Sequence, residues 1–217
     1  MTKTSSILNN RTAAFYYCYM SLTPEQIAAN FDKYRSLCER LGDRAPAALA
    51  LVDHFAERLA LCPASGRKEY HLAEPGGLVD HSLRVLSNAM KLCKAFEYDI
   101  PKDSLIIACL FHDLGKLGDL DQEYYLPQDS DWHRDKLGEM YKHNKDIKYM
   151  TVPHRGVWLC QHFGLKLNQD EWLAIVLNDG WVLQENKAYC LKEGTLVSVV
   201  QTADYLATKH EKESVEA

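Results

Sequence analysis

The residues best suited to chemistry in this chain of 217 residues are five in a row, His112-Asp113-Leu114-Gly115-Lys116. They close an almost wholly apolar run over 104–111, so an imidazole and a carboxylate stand at the mouth of a helix fit for burial. Successive side chains on a helix diverge by about 100°. Both can therefore reach one ion most easily where the helix ends and the backbone turns, and Gly115 is the residue expected to supply that turn. Lys116, one turn beyond His112, adds a cation that suits a phosphoryl group.

Two further polar residues fall on apolar helical faces. His81, in Gly76-Gly77-Leu78-Val79-Asp80-His81-Ser82-Leu83, comes three residues after Leu78 and four before Val85. Asp204, in Gln201-Thr202-Ala203-Asp204-Tyr205-Leu206-Ala207, lies between Val200 and Ala207. A carboxylate buried there is costly unless it is paired or bound to a metal. Taken singly, each has an ordinary explanation: a helical histidine is more often a hydrogen-bonded core residue, and an aspartate can cap a helix or pair with an arginine.

Taken together and in this order, they resemble the HD-domain superfamily of metal-dependent phosphohydrolases. That family has a histidine on an early helix, a His-Asp doublet on a buried helix and an aspartate on a late one. The resemblance covers roughly 70–210 and leaves the first 70 or so residues unmatched. The Gly-Gly-Leu before His81 looks most like the branch of exoribonuclease-type phosphodiesterases. The resemblance implies that His81, His112, Asp113 and Asp204 hold a divalent Mn, Fe, Co, Ni or Zn, a mixed N/O shell that suits these ions better than Ca. It implies catalytic roles for Asp113 and Lys116, with Lys116 and Arg155 on the phosphate. Members with two metals carry more histidines, and His154, in Val152-Pro153-His154-Arg155-Gly156, matches one such position. The other position reads Leu177-Asn178-Asp179-Gly180, where Asn178 is a poor ligand and Asp179 a substitute. His162 is a further candidate whose spacing fits poorly. The expectation is one metal site, with a second left open.

The elements that must place these residues read as helices, so the expected fold class is all-α, an HD-type bundle. Thr23-Pro24-Glu25-Gln26 starts a helix that should run to about Leu41, by its cap, its first-position proline and its glutamine. Others are expected over 46–61, 78–96, 104–113, 154–163, 169–177 and 194–208. The segment 119–153 is polar, aromatic and irregular, long enough to be a lid or pocket wall. No strand ladder is evident. Residues 1–69 are read as a helical extension packed on the same domain, 70–210 as the phosphohydrolase core and 211–217 as a charged, frayed tail. Phe15, Tyr16, Tyr17 and Tyr19 read as a packing segment, and His71 as a candidate for the cleft wall.

Composition narrows the function classes. The formal net charge is −5, which argues against a dedicated duplex-binding protein and leaves small nucleotides open. Seven cysteines without a CxxC pair fit neither a disulfide framework nor a thiolate zinc site, and a reducing cytoplasm is the expected location. No apolar run approaches the length of a membrane span. The expected activity is phosphoric ester hydrolysis on a small phosphorylated partner, first a deoxynucleotide monoester or triphosphate. Cyclic or oligonucleotide phosphodiesters are the alternative. A di-iron oxygenase or a metal-dead regulatory domain are readings of another class, and a homo-oligomer is possible.

Overall fold

The computed structural model describes residues 22–216, with side chains as far as Lys212; the aromatic segment around Phe15–Tyr19 lies outside them. Helix α1 (Pro24–Cys38) starts as its sequence dictates. The Thr23 hydroxyl accepts from the Gln26 N–H at 3.3 Å, and the Gln26 side chain accepts from the Thr23 N–H at 2.7 Å. It ends three residues earlier than expected, before a short 3-10 turn at Gly42–Arg44. The single helix expected over 46–61 is two, α2 (Ala45–His54) and α3 (Ala56–Leu61). Phe55 leaves helical geometry between them (φ −99°, ψ 17°) and turns its ring into the core against Phe163.

Three helices carry the centre of the molecule: α4 (Gly77–Phe96), α5 (Lys102–Phe111) and, far along the chain, α9 (Thr195–Glu216). α4 packs most extensively on α9 and next on α5. Its fully buried stripe runs from Leu78 to Ala89; beyond it Leu92 and Cys93 pack partly buried against the core, while Met90 and Phe96 are exposed. Leu105, Ile107, Ala108, Leu110 and Phe111 bury nearly all of α5. α7 (Val152–His162) and α8 (Gln169–Val176) close the core from the side.

The N-terminal helices belong to this same core. The Tyr34 hydroxyl donates to the Leu110 carbonyl at 2.6 Å. Arg44 pairs with Asp103 at 2.6 Å and with the fully buried Glu171 at 2.7 Å. Glu171 in turn accepts from the Ser104 hydroxyl and caps its own helix through Asn168. A buried carboxylate so completely bonded ties the described N-terminal helices to α5 and α8, whereas one left unpaired would cost several kcal/mol.

Between α5 and α7 the chain forms an arm. β1 (Tyr125–Pro127) and β2 (Tyr141–His143) pair antiparallel, with Tyr125 opposite His143, and the short helix α6 (Asp131–Leu137) joins them. Strands of three residues are too short to show alternation, which is why the sequence gives no sign of them. The fold is otherwise helical, and no described helix is long and apolar enough to cross a membrane.

Candidate metal centre

Two glycines bring the site's backbones together. α4 begins where the 64–72 loop crosses it: a Cβ on Gly77 would lie 2.2 Å from the Leu72 carbonyl oxygen, so only glycine admits that crossing. One turn later His81 points inward, fully buried. α5 stops at Phe111; His112 is still helical, but Asp113 leaves the helix (φ −105°, ψ 9°) before the turn Leu114–Leu117. The change of direction expected at Gly115 therefore occurs at Asp113. Gly115 serves another purpose: a Cβ there would meet the Val152 carbonyl oxygen at 1.9 Å, so it lets α7 dock against the turn.

The bend brings the doublet onto one point. His112 Nε2 lies 3.4 Å from Asp113 Oδ2, and His81 Nε2 lies 4.0 Å from the same oxygen. Asp204, from α9, places Oδ1 3.0 Å from His81 Nε2. That pair is close yet not aligned as a hydrogen bond, and the buried Nε2 atoms of His81 and His112 are both without a hydrogen-bond partner. Their other nitrogens are held: Nδ1 of His81 by Glu211 at 3.1 Å, and Nδ1 of His112 by the Cys109 carbonyl at 2.9 Å. An acceptor at Nδ1 fixes one ring hydrogen there and leaves Nε2 to meet an ion in place of a second proton.

His81 Nε2, His112 Nε2 and the Asp113 carboxylate thus converge, with Asp204 set against His81 from the side of α9. Ligand atoms about 2.1 Å from one ion lie roughly 3–4 Å from each other, and the observed separations fall in that range. These residues fit a divalent metal. His71 also comes near, its ring 4.8 Å from that of His81, with both nitrogens buried and unbonded. His71, His81 and Glu211 form a second close group, although His81 Nδ1 and Glu211 already satisfy each other.

Charge is tightly arranged around this point. Lys116 Nζ donates to Asp113 Oδ2 at 2.5 Å and to the Ala64 carbonyl at 2.6 Å. Burial opposes ionisation of Asp113, but Lys116 and His112 outweigh it and hold the carboxyl well below the usual range. Burial likewise opposes a charged His81, yet Asp204 and Glu211 raise it to about 10. His71 behaves in the opposite way: burial, then the charge of His81, pushes it down to about 3. Asp179 is pushed up, first by burial and then by the charge of Asp113.

Asp113 and Asp204 bring this centre to the floor of an open cleft of about 1420 Å³, while His81 and His112 are fully buried behind that lining. Lys116, His71, Asn178 and Asp179 line it too, as do Tyr125 and Tyr141 of the arm and the aromatic residues Trp181 and Tyr205.

A family model for the HD domain matches residues 78–209. The chain belongs to the HD-domain family. No curated protein and no solved structure matches it. HD domains bind divalent metals and are generally metal-dependent phosphohydrolases, with some regulatory members. The matched region carries His81, His112, Asp113 and Asp204; the structure gathers the first three and sets Asp204 against His81.

Four expectations from sequence do not match the structure. Arg155 is 2% exposed and does not face the cleft: its guanidinium donates to the carbonyls of Gly115, Lys148 and Met150 and lies over the Tyr124 ring. It anchors the arm and has no phosphate to meet. His154 is exposed at the start of α7, its Nδ1 2.6 Å from the Thr151 hydroxyl, outside the group of ligands. Glu211, expected in a frayed tail, is 2% exposed and belongs to the site. His162 is exposed too, against Trp158 and Phe163.

Proposed function

We propose that the protein is a metal-dependent phosphohydrolase acting on a small nucleotide, a deoxynucleotide monoester or triphosphate first. The observation that supports this most is the pair of buried, unbonded Nε2 atoms of His81 and His112 beside Asp113 and Asp204, the carboxylates that line an open cleft. His81, His112, Asp113 and Asp204 would hold the ion, one of Mn, Fe, Co, Ni or Zn. When bound, such an ion supplies an acidified water and a positive charge beside the phosphoryl oxygens.

The chain's own groups divide the remaining work. A carboxylate held well below its usual range accepts a proton poorly and binds cations strongly, so Asp113 holds and orients rather than acting as a base. Lys116 is fixed beside it by two hydrogen bonds, with a third donor left for a substrate oxygen on the cleft side. There it offsets charge developing on the phosphoryl group without having to reorganise. Trp181, Tyr205, Tyr125 and Tyr141 offer faces for a base.

One observation favours a second reading, a phosphodiester within a short oligonucleotide. A cleft of about 1420 Å³ exceeds the ~300–1,000 Å³ common for small-molecule sites. Phosphate release and product chromatography across mono-, tri-, cyclic and oligonucleotides, each with Mn, Co, Ni, Zn and Mg, separates the two. Free phosphate or triphosphate from mononucleotides supports the first reading, and shortened oligonucleotides the second. An intact Asp113→Ala protein hydrolysing the same substrate at the wild-type rate overturns both.

A further inference from the structure

We infer that Glu211 is a positioning residue of the metal centre, acting through His81 Nδ1 to fix the ring that presents Nε2. This rests on the reading of His81 as a ligand and adds a residue that the HD-domain match, ending at 209, does not include.

Glu211 stands seven residues, two helical turns, after Asp204, so α9 presents both carboxylates on one side. His81 sits between them. Asp204 approaches its Nε2 at 3.0 Å, and Glu211 brackets its Nδ1 with both oxygens, at 3.1 and 3.3 Å. One helix thereby controls both nitrogens of one imidazole. The stripe Ala203, Ala207 and Glu211, spaced by four, is buried as a unit, which carries the carboxylate into the core instead of leaving it in solvent.

A purely structural role would need another strong partner for this carboxylate. Its nearest guanidinium, Arg84, is 3.8 Å away and already bonded to Asp80 at 2.7 Å. The direct partner is His81. The contrast with His112 is informative: there a neutral carbonyl holds Nδ1, so that ring is oriented without added charge. At His81 an anion does both, orienting the ring and raising its strength as a donor. Loss of such an outer partner typically costs 10–100-fold in metal affinity.

The test uses Co²⁺ affinity, by competition with a chromophoric chelator, together with the visible absorption of the bound Co²⁺. Apo-protein melting temperature is read in parallel. Glu211→Met removes the acceptor at similar volume, and Glu211→Gln keeps an acceptor without its charge. We expect the order wild type, Gln, Met, with Met weaker by 10–100-fold and the Co²⁺ bands altered. A folded Glu211→Met protein with wild-type affinity and spectrum overturns the inference. If that variant fails to fold, wild-type affinity in Glu211→Gln overturns it, and a threefold or greater weakening sustains it. Failure of the underlying metal reading looks different: the wild type itself would then bind no Co²⁺.

Discussion

The floor of the cleft and the root of the arm each set a largely buried cation near an imidazole, yet they use these groups in opposite ways. On the floor, Lys116 is bonded to a carboxylate and a carbonyl while lining the cleft, and two imidazoles each keep one nitrogen unbonded and aimed at a common point. At the root of the arm, Arg155 spends its guanidinium on three backbone carbonyls and an aromatic face. The neighbouring histidine, His154, is exposed and bonded to the hydroxyl that caps its helix. For the two cations, burial and charge alone do not separate the regions. What separates them is whether donors and lone pairs are left over, and in which direction they point.

The largest effect should come from the floor. Asp113→Ala removes a ligand and strands Lys116, so kcat/KM should fall by ~10³ or more, with a stability loss of a few kcal/mol in denaturant titration. Lys116→Met should lower kcat/KM by about 10²-fold while leaving Co²⁺ affinity within a few-fold. Arg155→Met reverses that pattern. It should cost about 2–4 kcal/mol of stability, because three carbonyls lose a charged donor, and kcat/KM of the folded fraction should stay within threefold. A large activity loss without a stability loss in Arg155→Met would erase the distinction between the two regions.

The metal-free protein gives a pH test of the same contrast. With His81 raised to about 10, its proton contributes stability that is complete below pH 6.5 and is lost as the pH rises towards 10. His71, lowered to about 3, runs the other way: its contribution is present above pH 6.5 and lost on acidification. Urea unfolding in EDTA should therefore show stability falling between pH 7 and 9, by at most about 1.4 kcal/mol per unit for one proton. His81→Gln should reduce that slope, with His112, which despite its burial Asp113 also raises, keeping the remainder. Saturating Co²⁺ should remove the slope, since a metal takes the place of the proton. The smallest effect belongs to the arm side: His154→Ala should change Co²⁺ affinity by less than twofold in the same chelator assay.

Much of the floor can be read from the sequence, because the order His81, His112-Asp113, Asp204 combines polar residue types with apolar helical surroundings. Glu211 is harder to see. It stands in a run of charges that reads as a solvated end, and only its four-residue spacing from Ala207 and Ala203 hints at burial. Arg155 misleads for a simple reason. Adjacency to His154 suggests a shared direction, whereas neighbours on a helix diverge by about 100°; one is buried and the other exposed. The His112-Asp113 doublet escapes that divergence only because the backbone bends at Asp113. The arm's short strands and the break at Phe55 depend on contacts far apart in the chain, between β1 and β2 and between Phe55 and Phe163. Such contacts leave no local pattern.

The central claim is that one ion is held where α4, α5 and α9 meet. Its most direct measurement is an anomalous difference map from crystals of the wild-type protein grown with Co²⁺. The account predicts a peak within bonding distance of His81 Nε2, His112 Nε2, Asp113 and Asp204. A map with no peak there, or with its peak at His154 or His162, would contradict it.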